Sequence, residues 1–217
     1  MGIAYNTSIV RDGLVMHVDA ANVKSYSGSG TTWSDLSGNG NHGTLVNGPT
    51  FNSSNNGIFS VDGASDYFTT PYVMDQSGST EYTCCAFAKL NTISSGRRHI
   101  ISTDNGGFDW SLGSGDNNQF MVFTGNGVLG GANQDLLWHM HAAVWGNPTT
   151  YLYMDGNLMA QAATGFDVSN NPTYIAKNPG YSEYWNGDIG TVLIYNRALT
   201  EAEIKQNFEA ARGRYGI

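Results

Sequence analysis

The chain is 217 residues long and carries 28 Gly, 12 Tyr, 9 Phe and 5 Trp against only 13 % charged residues, the profile of aromatic-rich strands joined by many tight turns. Ten Lys and Arg against eighteen Asp and Glu leave a formal charge of −8 and no basic stripe, which argues against a nucleic-acid partner. No apolar run approaches the roughly 18 residues of a membrane span, and the first residues lack the basic and apolar regions of a cleaved signal, so neither membrane insertion nor signal-led export is expected.

An all-β sandwich often takes roughly 200–250 residues as one unit, so residues 1–217 are expected to form a single domain. Gly13–Ala20 reads as a buried first strand ending at Asp19. From Asn22 to Asn47 Ser, Gly, Asn and Thr surround Trp33 and Asp35, which is turn chemistry leading into a strand at Thr44–Val46. Short strands at Phe59–Asp62 and Tyr67–Thr70 flank the turn Gly63–Asp66; a strong strand follows over Tyr82–Leu90 and a shorter one over His99–Ser102. Cys84 and Cys85 are neighbours on that strong strand, point to opposite faces, and are expected as free thiols.

Asp109–Leu112 and Gln119–Phe123 enclose a Gly/Asp/Asn cluster at 113–118, a hairpin signal. Trp138–Trp145 alternates: Trp138, Met140, Ala142 and Val144 are expected on the core side, His139, His141, Ala143 and Trp145 on the other. Tyr151–Met154 and Asn157–Ala162 meet at Asp155-Gly156, a dipeptide suited to a two-residue type I′ turn. Tyr174–Ala176 and Gly190–Tyr195 complete the strands. Only the tail reads as helical, with Thr200 and Glu203 forming a capping box and Ile204, Phe208 and Ala211 sharing a face up to Gly213.

Four segments in this order carry a family pattern: Asp35-Leu-Ser-Gly-Asn-Gly-Asn-His-Gly43; Phe59-Ser-Val-Asp-Gly63; Trp138-His139 followed by Tyr151-Leu-Tyr-Met-Asp-Gly156; and Trp185-Asn-Gly-Asp-Ile-Gly190 leading to Ile194-Tyr-Asn-Arg-Ala-Leu-Thr-Glu201. Together they resemble the laminin-G-like members of the concanavalin A-like lectin/glucanase superfamily over almost the whole chain. The resemblance implies an all-β jelly-roll β-sandwich of two antiparallel sheets with one short C-terminal helix. It implies no single activity, because the fold carries lectins, hydrolases, adhesion modules and viral structural parts alike. The ending, Ile204-Lys-Gln-Asn-Phe208 through Gly213-Arg-Tyr-Gly-Ile217, also resembles tails of laminin-G-like proteins in tailed-phage virions.

Hydrolases of this superfamily carry their carboxylates on one strand as Glu-x-Asp-x-(x)-Glu. The glutamates here are Glu81, Glu183, Glu201, Glu203 and Glu209, and no such triplet exists, so no enzymatic activity is expected. There is no Gly-x-Ser-x-Gly elbow, and burial in an apolar run deactivates Cys84 and Cys85. Asp19, Asp35, Asn39, Asn41 and Asp188 form the candidate metal set, for a structural calcium ion, since Ca²⁺ takes six to eight hard oxygens from irregular loops. The alternative is that Asp35, Ser37 and Asn39 stabilise turns by bonding their own backbone. For a sugar ligand the candidates are the loop aromatics Trp33, Trp110, Tyr181, Tyr184 and Trp185, whose ring faces can pack on sugar C–H groups.

The expected role is that of a non-catalytic virion protein, a capsid decoration or fibre-type appendage, that packs on other virion subunits or on itself and binds host-surface glycans. The alternative is an extracellular carbohydrate-binding module, and a polysaccharide hydrolase or lyase ranks last.

Overall fold

The computed structural model describes residues 8–53, 56–74, 81–104, 110–124, 127–164 and 170–217. Its strands begin with β1 (Leu14–Asp19), β2 (Thr32–Trp33), β3 (Gly43–Val46), β4 (Thr50–Asn52), β5 (Ile58–Asp62) and β6 (Tyr67–Val73). Next come β7 (Tyr82–Leu90), β8 (Arg98–Ser102), β9 (Ser111–Gly115), β10 (Gln119–Thr124), β11 (Gly127–Asn133) and β12 (His139–Trp145). The chain ends with β13 (Thr150–Met154), β14 (Asn157–Ala162), β15 (Pro172–Ile175), β16 (Lys177–Asn178), β17 (Glu183–Tyr184), β18 (Asn186–Tyr195) and helix α1 (Glu201–Tyr215).

One antiparallel sheet has the order β14-β13-β12-β7-β18-β5-β4. The first half of β18 pairs with β5 and its second half with β1, so the longest strand seats two neighbours on one flank. The second sheet runs β11-β10-β9-β8-β15-β6-β3-β2, and β16 and β17 form a separate two-stranded hairpin. The all-β sandwich with one C-terminal helix implied by the resemblance is the architecture observed.

Two cores give the molecule three layers. Between the sheets lie Trp33, Trp110, Trp145 and Trp185 with Phe59 and Phe68, rings meeting edge-on at centroid distances such as 4.9 Å for Trp33 and Phe59. Outside the first sheet, α1 covers Phe87, Met140, Val144, Leu193 and Tyr195. Strands β7 and β18 are therefore buried on both faces, which is why they read as nearly unbroken apolar runs. Cys84 enters the inner core and Cys85 the outer one, both as buried free thiols, and burial pushes the Cys85 thiol up to about 12.

Helix α1 docks through its last turn. Tyr215 stacks on Phe87 at 4.5 Å, and its hydroxyl lies 2.9 Å from that of Thr191. Gly190 makes this approach possible, because a Cβ there would run into the Tyr215 ring. At the other end the capping box forms as expected: the Glu203 N–H donates to the Thr200 hydroxyl, and the Thr200 N–H donates to Glu203 at 2.9 Å. The Arg197 guanidinium, 2.6 Å from Glu203, holds that carboxyl down at about 2. The Asp155-Gly156 turn also forms, both residues having positive φ.

The structure corrects the reading of β12. His139 and His141 point between the sheets, with His141 only 4.4 Å from Phe120, while Trp138 lies under the helix against Tyr215 at 4.8 Å. Both faces of this strand are core faces, so alternation could not tell inside from outside. It also corrects Trp33, which pairs with Gly43 as part of β2 and is fully buried.

Candidate functional site

The solvent face of the second sheet carries what the helix covers on the first. Alternation turns His99 of β8, Ser111 of β9 and Phe123 of β10 outward. The β16–β17 hairpin lies over β8 and lowers Asn178 and Glu183 onto the same region. Between them is a cavity of about 240 Å³, whose wall also includes Arg97, Asp104 and Tyr181.

Its polar groups are wired together. His99 is buried, with Nδ1 2.7 Å from Ser111 Oγ and Nε2 2.8 Å from Glu183 Oε2. Burial alone would raise the Glu183 pKa, but hydrogen bonds from His99 and Asn178 and the nearby Arg97 charge lower it on balance. An ionised Glu183 accepts, so in the neutral ring we assign the proton to Nε2 and let Nδ1 accept from the Ser111 hydroxyl. Asn178 is buried as well. Its Nδ2 donates to Asp104 Oδ2 at 3.0 Å and to Glu183 Oε2 at 3.1 Å, and its Oδ1 accepts from the Gly180 N–H at 2.9 Å. Two carboxylates are thus bridged by one amide and held in place before any ligand arrives. Arg97 lies over the Phe123 ring, 5.2 Å from its centroid.

Of the aromatics expected to meet a sugar, Tyr181 is 39 % exposed and lines this cavity. Tyr184 is half-buried on the other flank of the hairpin, near Tyr67 and Lys177. Trp33, Trp110 and Trp185 are corrected: all three are fully buried between the sheets and offer no face to a ligand. Large aromatic surface is the strongest driver of burial, and turn-rich flanking sequence does not outweigh it. Sequence reasoning passed over His99, Asp104, Ser111 and Asn178 as site residues. They sit on two strands, the loop after β8 and a hairpin far apart in the chain, and the local signal nearest to them is Glu183, a glutamate outside the helix and the strands expected from the sequence.

The candidate calcium set does not fit the ion. Asp35 Oδ1 accepts the His17 and Ser37 N–H groups at 2.8 and 2.9 Å, and Oδ2 accepts the Ser37 hydroxyl at 2.7 Å and the Asn41 N–H at 3.1 Å. Asn39 and Asn41 turn amide nitrogens inward as donors to the carbonyls of Leu14 and Val15. Asp19 pairs with Arg214, and Asp188 pairs with Lys89 at 2.9 Å and accepts the Ser60 hydroxyl at 2.6 Å. The five residues fall into three hydrogen-bond groups, Asp35 with Asn39 and Asn41 in one and Asp19 and Asp188 each in another, and among the described residues no three His, Cys, Asp or Glu side chains gather. The turn-stabilising alternative describes Asp35, Ser37 and Asn39. Among the described residues no helix is long and apolar enough to cross a membrane.

A family profile described as the concanavalin A-like lectin/glucanases superfamily matches residues 62–205. No curated protein sequence matches the chain. Among solved structures, the fold is similar to that of Trypanosoma rangeli sialidase in complex with sialic acid, at TM-score 0.69 and 15 % identity over 95 % of this chain and 34 % of that one. It is also similar to botulinum neurotoxin type C, whose cell entry depends on interaction with two ganglioside molecules, at TM-score 0.72 and 15 % identity, covering 93 % and 52 %. The binding domain of botulinum neurotoxin DC in complex with SialylT matches at TM-score 0.73 and 12 % identity, again covering 93 % and 52 %. The chain spans a third to a half of the length of these structures, and the likeness is one of fold.

Proposed function

The chain belongs to the concanavalin A-like lectin/glucanases superfamily, and from that premise we propose that it is a non-catalytic glycan-binding domain whose cavity beneath the β16–β17 hairpin takes one sugar residue. The observation that carries this reading is the Asp104–Asn178–Glu183 bridge braced from below by His99 and Ser111. Fixed carboxylates accept sugar hydroxyls without paying to become ordered, and Phe123 and Tyr181 add apolar surface for the ring. At about 240 Å³ the cavity is below the roughly 300–1,000 Å³ of drug-sized pockets, which suits a single residue or a chain end. The ganglioside dependence of botulinum neurotoxin type C and the SialylT complex of the neurotoxin DC binding domain, both of similar fold, support the reading.

Binding is favoured over hydrolysis by the state of the same groups. Glu183 is held ionised and is engaged by His99 and Asn178, so it has no proton to give a leaving group. Ser111 meets His99 but is buried, which keeps its hydroxyl from a substrate carbonyl or acetal. A glycan array followed by titration of the hits tests the reading. Glu183→Gln is expected to weaken binding about tenfold, the scale of one charge-assisted hydrogen bond. Uniform silence of the array at high protein concentration overturns the proposal, as does release of reducing ends from a bound polysaccharide.

The virion setting is part of the proposal and is motivated by the C-terminal resemblance: the domain would sit on a particle surface, held by other subunits or by copies of itself. Mass spectrometry of purified particles tests it, and absence of the chain from them ends it.

A further inference from the structure

We infer that the opposite flank of the β16–β17 hairpin is a second subsite, one that takes an anionic sugar bearing a carboxylate or sulfate. The inference rests on the glycan reading, but it concerns different residues and fails separately.

Neighbouring residues on a strand point to opposite sides. Asn178 and Glu183 pair across the hairpin and face the cavity, so the adjacent pair, Lys177 and Tyr184, faces the other way. There the ammonium of Lys177 lies 4.3 Å from the ring centroid of Tyr67, 5.4 Å from Tyr184 and 5.9 Å from Tyr174. Tyr67 and Tyr174 stand on the solvent face of β6 and β15, with ring centroids 6.0 Å apart. All four residues are only half-buried, so the group opens to solvent.

Two features separate this group from a structural clasp. In a chain of net charge −8, carboxylates outnumber cations, yet among the described residues none lies within ion-pair distance of the Lys177 ammonium. The hydroxyls of Tyr67, Tyr174 and Tyr184 likewise meet no hydrogen-bonding partner among the described residues. A fixed cation without a counter-ion, three hydroxyls open to a ligand, and ring faces able to pack on C–H groups are together what an acidic pyranose needs. The sugar lies against Tyr174 and Tyr184, and its carboxylate or sulfate meets the ammonium from the solvent side. The cavity on the near flank sets Asp104 and Glu183 against the single cation Arg97, so it favours an anionic sugar less than this flank does.

NMR titration with methyl β-D-glucuronide and methyl β-D-glucoside tests the inference. The glucuronide is expected to bind about fivefold tighter, the upper range for a solvent-exposed ion pair, and the preference should shrink as salt rises. Resonances of Tyr67, Tyr174 and Tyr184 should move. Lys177→Met keeps the alkyl stem in the cage and should abolish the preference, Lys177→Arg should retain it, and a thermal melt of each variant shows whether the fold is intact. Read at the resonances of Tyr67, Tyr174 and Tyr184, the preference reports this flank of the hairpin and not the cavity. Equal affinity for the two glycosides, binding of neither, or a preference that survives Lys177→Met overturns the subsite even where array glycans still bind the cavity. A silent array with a surviving glucuronide preference instead removes the cavity reading and leaves the subsite standing.

Discussion

The outer faces of the two sheets have opposite fates. On the first sheet Phe87, Met140, Val144, Leu193 and Tyr195 form an apolar surface that α1 covers, and the capping box and the Tyr215–Phe87 stack fasten the helix in place. On the second sheet His99, Ser111, Phe123, Tyr67 and Tyr174 face outward, and among the described residues their cover is a hairpin four strand residues in extent. One face contributes stability and the other is left to chemistry. The division explains how a sandwich can place buried titratable groups near solvent: its core is complete without them.

Mutations should separate the two faces cleanly. Phe87→Ala removes a fully buried ring that packs against Tyr215 and should cost roughly 3–5 kcal/mol in chemical denaturation, with glycan affinity unchanged in the folded fraction. Gly190→Val drives a side chain into Tyr215 and should cost roughly 1–3 kcal/mol by the same measurement. Glu183→Gln on the open face should do the reverse, losing about tenfold in affinity while shifting the melting temperature little. If the helix-side variants weakened glycan binding as much as Glu183→Gln, the two faces would be coupled and the division wrong.

How far each face was legible in the sequence follows the same line. The Asp155-Gly156 turn and the Thr200–Glu203 box depend on residues at most three apart, so both could be read directly. Strands β2, β16 and β17 are two residues long and exist only through their pairing, and β11 is half-hidden by its glycines. No local pattern announces them. The cavity is harder still, because His99 and Glu183 meet across 84 residues of sequence and a lone Glu in a turn-rich segment has no periodicity. Tyr181 was legible because a tyrosine between polar turn residues stays outside. Trp33, with similar neighbours, went inside because ring pairing with Phe59 and Phe68 outweighed them.

The histidines of β12 lie between the two faces and titrate in opposite senses. Burial works against a charged His139, but the carboxylates of Asp155 and Asp135 outweigh it and raise its pKa above 6.5. Burial pushes the His141 ring down to about 3. For His139 the stabilising contribution is therefore complete below pH 6.5 and is lost as pH rises through its folded pKa. For His141 it is present above pH 6.5 and is lost as pH falls toward 3. Stability between pH 5 and 6.5, above the ordinary carboxylate range, should therefore fall on acidification because of His141. Melts of His141→Leu should show a flatter slope in that window, and His139→Gln should flatten the slope above pH 6.5. An unchanged acid slope in His141→Leu would falsify the assignment.

The smallest expected effect is that of calcium, at the loop joining the sheets. Asp35 lies between β2 and β3 of the second sheet, yet its carboxylate accepts the His17 N–H of β1 in the first, while Ser37 and Asn41 donate to the Val15 carbonyl of that same strand. The loop therefore already holds the sheets together through hydrogen bonds. Asp35 also accepts from Ser37 and Asn41, so both of its oxygens are in use, and these bonds hold its pKa below the usual carboxylate value against the opposing effect of burial. An ion would have to displace the His17, Ser37 and Asn41 N–H groups, all of them part-buried, from the carboxylate they now share. Adding millimolar Ca²⁺, or a chelator, should leave the melting temperature unchanged. A rise with Ca²⁺ that is reversed by chelation would show that the loop rearranges around an ion, and that the junction between the two faces depends on more than its own hydrogen bonds.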